Sequence, residues 1–168
     1  MKKTVLRYGI YGAITICILF LLGWFIGENL DYSSQEIIGY ASMIVSLSFV
    51  FFGIKHFRDK ENEGQISFKK AFIIGLLISL ITAIAFGLID VLYIKVLNPN
   101  FAADYYANAV ETMRNSVPAA EFEAKLAELE SQKEMFSDPF FTFFLMASTV
   151  FIIGLIISLI SSLVLQRK

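Results

Sequence analysis

The 168-residue chain is 57% hydrophobic and 17% charged, with a mean hydropathy of +0.67, whereas soluble domains carry about 45–50% and about 25%. That excess of apolar residues excludes a disordered chain, the single cysteine excludes a disulfide-stapled mini-protein, and the net charge of -1 excludes a broadly basic nucleic-acid binder. No nucleic-acid partner is expected, and the surplus points to surface made for lipid.

A bilayer core about 30 Å thick takes roughly 20 apolar residues in a helix. Four stretches meet or approach that length: 8–26, 37–54, 71–97 and 140–165. The first follows Lys2, Lys3 and Arg7, as a signal peptide would. It exceeds a signal core of about 7–15 residues, and no small-x-small cleavage site follows Gly27, so it is expected to stay as a span. The lone Cys17 within it reads as a packing thiol.

Orientation follows from the bases that flank the spans, because cytoplasmic loops are enriched in Lys and Arg. Lys2, Lys3 and Arg7, then Lys55, Arg58, Lys60, Lys69 and Lys70, then Arg167 and Lys168 make ten of the 14 basic residues. The first connection, 28–36, has none, and the outer flank has Lys95, Arg114, Lys125 and Lys133 among acids. Four spans put both termini and the second connection on one side, so that side is expected to be cytoplasmic.

The stretch 98–138 carries eight acids and three bases, a local charge of -5. Tyr106, Val110, Met113 and Val117 recur at helical spacing, as do Phe122, Leu126, Leu129 and Phe136, which predicts two amphipathic helices in a hairpin. Ser116 is expected to cap the second helix with Pro118 in its first turn, and Glu121 and Lys125 form a favourable i,i+4 pair. Asn98-Pro99 and Asp138-Pro139 bracket the hairpin as breakers. The acids Glu123, Glu128, Glu130 and Glu134 are expected to point outward.

No catalytic or metal-binding constellation is present, so no enzyme activity and no cofactor are expected. His56 stands alone beside Lys55 and Arg58, whereas zinc needs three or four clustered donors. Ser67-Phe68-Lys69-Lys70 has the Ser-x-x-Lys spacing of penicillin-interacting enzymes without the companion Ser-Asp-Asn or Lys-Thr-Gly. Asp90 is the notable ionisable residue, since an acid inside a span is by default a functional candidate. Counting about 1.5 Å per residue from Ala71 places it near the outer interface, within reach of water or Lys95.

The packing signal is stronger. Ala71, Gly75, Ser79, Ala83 and Gly87 recur every four residues in the third span, Gly154, Ser158 and Ser162 in the fourth, and Gly23 pairs with Gly27 in the first. Small residues at that spacing let helices approach backbone to backbone. The stripe is expected to face protein, with Leu77 and Ile81 on the opposite face. Ser42, Ser46 and Ser48 are expected to hydrogen-bond between helices.

Gly64-Gln65-Ile66-Ser67-Phe68-Lys69-Lys70-Ala71-Phe72, Asn98-Pro99, Asp138-Pro139 and Gly154-Leu155-Ile156-Ile157-Ser158-Leu159-Ile160 together resemble domain of unknown function 4199. The resemblance covers essentially the whole chain and implies a bacterial inner-membrane protein of four spans with no assigned activity and no functional residues to carry over. The expected fold is all-α: a single domain, 1–168, forming a four-helix integral membrane bundle with an extracytoplasmic helical hairpin at 98–138 between spans three and four. The expected role is structural, assembly or envelope interaction, within the lipid bilayer and with a second copy or an envelope protein as partner. The competing reading is a small oligomeric transporter or channel subunit using Asp90.

Overall fold

A computed structural model describes residues 1–27 and 30–167. Glu28, Asn29 and Lys168, and the side chains of Ala119, Ala120, Gln132, Lys133, Glu134, Phe136 and Ser137, lie outside the described residues. Among the described residues six helices follow one another: α1 Lys2–Gly27, α2 Tyr32–His56, α3 Phe68–Leu92, α4 Phe101–Ser116, α5 Ala119–Ser137 and α6 Pro139–Leu165. A π-helical turn extends α2 over Phe57–Glu61, and another extends α3 over Tyr93–Leu97. Among the described residues the only β pairing is an isolated antiparallel bridge, Ile66 to Arg167.

Among the described residues four helical runs are long and apolar enough to cross a membrane: Lys2–Gly27, Tyr32–Glu61, Phe68–Leu97 and Pro139–Leu165. They outrun the apolar stretches 8–26, 37–54 and 71–97 because a helix continues until its end groups find other partners, not until hydropathy falls. Asp31 opens α2: its Oδ2 accepts from the Ser34 N–H at 3.1 Å and its Oδ1 from the Ser34 hydroxyl at 2.7 Å. Those two bonds, the hydroxyl's foremost, hold the Asp31 carboxyl below its ordinary range. The cap therefore persists at neutral pH and is lost only when acidification protonates it. Asp138 opens α6 in the same way, its Oδ1 accepting from the Phe140 N–H at 2.7 Å. Pro139 fits the first helical position, where no N–H is needed.

The chain divides into two compact units, Met1–Phe86 with Met146–Lys168, and Gly87–Leu145. In the first, apolar side chains lie on the outside as well as within, and hydroxyls are buried. Leu6, Ile10, Ile14 and Phe25 of α1 and Ile152, Ile156 and Ile160 of α6 are exposed, whereas Ser46, Ser79, Thr82, Ser158 and Ser162 are buried. Water would not tolerate such an apolar exterior, but lipid does, and the interior hydroxyls satisfy themselves on helix carbonyls.

Both chain ends meet at one end of this unit. The terminal ammonium of Met1 lies 2.8 Å from Glu61 Oε2, and the Thr4 hydroxyl donates to the other oxygen of Glu61. Arg58 is buried; its Nε lies 2.6 Å from Asp59 Oδ1, and its Nη1 donates to the Leu165 carbonyl at 3.3 Å, meeting an orphan acceptor at the end of α6. Ile66 and Arg167 exchange two backbone hydrogen bonds of 2.9 Å.

In the second unit, α4 and α5 form the helical hairpin. Tyr106, Val110 and Met113 on α4 and Phe122, Leu126 and Leu129 on α5 are half-buried, while Glu121, Glu123, Glu128 and Glu130 are exposed. The Tyr106 hydroxyl donates to Glu130 Oε1 at 3.3 Å, and Glu121 lies 3.6 Å from Lys125. Burial, with the Glu130 carboxylate beside it, pushes the Tyr106 phenol up. The turn differs from the expectation for Ser116. That residue ends α4, its hydroxyl donating to the Thr112 carbonyl at 2.8 Å, and Pro118 occupies the cap position of α5 without a side-chain bond. Proline drives the residue before it out of the helical region, so Val117 is extended and the break falls after Ser116.

Candidate functional site

Helix contacts are the best-defined feature of the membrane core. A Cβ added at Gly75 would lie 2.7 Å from Ser158 Oγ and 2.8 Å from Ser158 Cβ; one at Gly154 would lie 2.5 Å from Ser79 Oγ. Only glycine lets α3 and α6 come this close. The hydroxyls of Ser79 and Ser158 lie 3.3 Å apart between the helices, while each also donates down its own helix, to the Gly75 carbonyl at 2.9 Å and the Gly154 carbonyl at 2.6 Å. Ala83 is 1% exposed. At Gly87 a Cβ would fall 2.7 Å from the Phe143 ring. The two stripes thus meet each other, Gly75 and Ser79 on one side and Gly154 and Ser158 on the other.

Three further close approaches use glycines outside any four-residue repeat. A Cβ at Gly9 would lie 2.6 Å from Ile81 Cδ1, one at Gly12 would collide with the Thr82 hydroxyl, and one at Gly53 would lie 2.5 Å from Ile78 Cδ1. These bring α1 and α2 onto α3. Ile81 therefore packs against α1 rather than facing away with Leu77, which is 38% exposed. Gly23 and Gly27, by contrast, would gain only ordinary contacts at 3.4 Å to Ile38 and 3.5 Å to Gln35.

The serines of α2 bond differently from the expectation. Ser42 donates to the Ile38 carbonyl at 2.7 Å, Ser46 to Ser42 at 2.8 Å and Ser48 to Val45 at 2.7 Å, all within the helix. A serine hydroxyl reaches the carbonyl one turn back without any neighbour, so that bond forms first.

The remaining chemistry-bearing residues do not converge. His56 Nε2 is 3.9 Å from Glu61 Oε1, and its ring lies 5.6 Å from that of Tyr8. Among the described residues no three His, Cys, Asp or Glu side chains could share a metal ion. Ser67 of the Ser-x-x-Lys spacing caps α3, its hydroxyl accepting from the Lys70 N–H at 3.4 Å, and Lys70 Nζ donates to Asn62 Oδ1 at 3.0 Å. Cys17 is half-buried and free.

Asp90 is 8% exposed. Its Oδ2 is buried without a hydrogen-bond partner. Lys95 itself is exposed.

Four apolar helices with lipid-type surfaces and hydroxyl-lined contacts define a multi-pass α-helical membrane protein. Residues 7–167, nearly the whole chain, match the family described as protein of unknown function (DUF4199), and the chain belongs to that family. No curated protein and no solved structure matches it.

Proposed function

We propose that this protein is a non-enzymatic bacterial inner-membrane protein that holds its acidic hairpin outside the cytoplasm as a contact surface for an envelope partner or a second copy. The pairing of the apolar faces of α4 and α5 carries this reading, because it leaves Glu121, Glu123, Glu128 and Glu130 exposed on the hairpin surface. In the other unit Lys2, Lys3, Arg7, Lys55, Lys60 and Arg167 are exposed beside the ends of the apolar helices. Bases at those flanks support cytoplasmic termini.

Reporter fusions after Asp31 and Asp104 are expected to read outside, and those after Lys60 and Lys168 inside. A cytoplasmic signal from the Asp104 fusion would overturn the orientation. Crosslinking through the hairpin in intact cells tests the role itself. The double variant Glu128→Gln, Glu130→Gln should fold as the parent does yet lose the crosslinked species, as should the parent at high salt, which screens exposed charges within about 10 Å at 0.1 M. A hairpin that crosslinks to nothing, or whose crosslinks ignore both charge removal and salt, contradicts the proposal.

A further inference from the structure

We propose that Asp90 binds a small exchangeable monovalent cation, a proton or a sodium ion, at Oδ2 inside the third apolar helix. This site is independent of any partner of the hairpin. The acid lies seven residues before the end of the run Phe68–Leu97, about two helical turns in. It is 8% exposed, and Oδ2 has no hydrogen-bond donor.

A charged carboxylate oxygen buried without a donor is costly for a protein to keep. Among the described residues none donates a hydrogen bond to Oδ2. Lys95, five residues on, is exposed, and so are the described charged side chains of α4 and α5. The part of α6 in this unit, residues 139–145, carries no titratable side chain. In this proposal the balancing positive charge comes from solution.

The donor set selects the class of ion. Calcium or magnesium needs about six oxygen ligands, and among the described residues no three His, Cys, Asp or Glu side chains come together around Asp90. One carboxylate suits a single positive charge. The α3 hydrogen-bond pattern also changes from α to π at Tyr93, three residues after the acid, and such π segments recur beside functional groups.

Dicyclohexylcarbodiimide tests the site on the full chain in phosphatidylglycerol vesicles. This apolar reagent adds the O–H of a protonated carboxyl across its C=N bond, and the O-acylisourea rearranges to a stable N-acylurea, a mass gain of one carbodiimide. The expected result is one label, mapped by peptide mass spectrometry to Asp90, absent in Asp90→Asn and retained in Asp90→Glu. Loss of the label on adding sodium at fixed pH identifies sodium as an occupant; loss only on raising the pH identifies the proton. The proposal is overturned if Asp90 in the parent protein takes no label, or takes the same label at every pH and sodium concentration. Mapping on the parent makes both results readable even if Asp90→Asn fails to fold.

Discussion

Gly75→Leu should unfold at markedly lower detergent or denaturant concentration than the parent, by about 1–3 kcal/mol or more, as expected for overpacking a filled contact. The first atom of the new side chain already meets Ser158 Oγ at 2.7 Å and Val50 Cγ1 at 3.2 Å, so three helices must shift to admit the rest. Ala83→Leu should act in the same direction, since Ala83 has no free surface. Leu77→Ile, at an exposed position on the same helix, should change little. Unfolding followed by intrinsic fluorescence compares the three, and equal stability of Gly75→Leu and the parent would show that α3 and α6 do not meet along this stripe.

Leu126→Asp should open the hairpin while leaving the membrane helices intact. Its half-buried side chain pairs the apolar face of α5 with that of α4, and losing that contact costs about 1–2 kcal/mol. Isolated helices of this length are marginal in water. The amphipathic pair then has little left to order it, and limited proteolysis should cut between residues 101 and 137 well before the parent is cut. Unchanged protease resistance would mean that α4 and α5 are ordered by something other than each other.

How far the residues foretold these contacts depended on whether they repeat. Gly75, Ser79, Ala83 and Gly87 recur every four positions, as do Gly154 and Ser158, and a periodic stripe can be seen without knowing its partner. Gly9, Gly12 and Gly53 obey no such period, because α1 and α2 each meet α3 at isolated points, where the partners are Ile81, Thr82 and Ile78. Only tertiary structure identifies those pairs. The Gly23 and Gly27 pair shows the converse: a motif of the right spacing with only ordinary contacts opposite it.

The same distinction explains the polar residues. Asp138 before Pro139 read as a breaker, and the cap it forms follows from local geometry. Ser116 had equally good local credentials, yet the backbone preference imposed by Pro118 decided the turn. For Asp90, counting residues gave its place along the helix but not its surroundings, which depend on the other elements of its unit. The buried, partnerless oxygen became visible only in three dimensions.

The clasp in which Arg58 holds the Leu165 carbonyl and Ile66 pairs with Arg167 has a consequence for the order in which the protein is made. Arg58 and Leu165 are 107 positions apart. A ribosome finishes α1, α2 and α3 long before the end of α6 exists, so these three helices must wait, inserted but unfastened, for the last one. Contacts of such long sequence separation are slow to close and leave intermediates exposed in the meantime. The nascent bundle therefore has a vulnerable interval that lasts until its final span arrives, and a chain stopped before Leu165 would remain in that interval, open to membrane proteolysis, however well its first three helices had inserted.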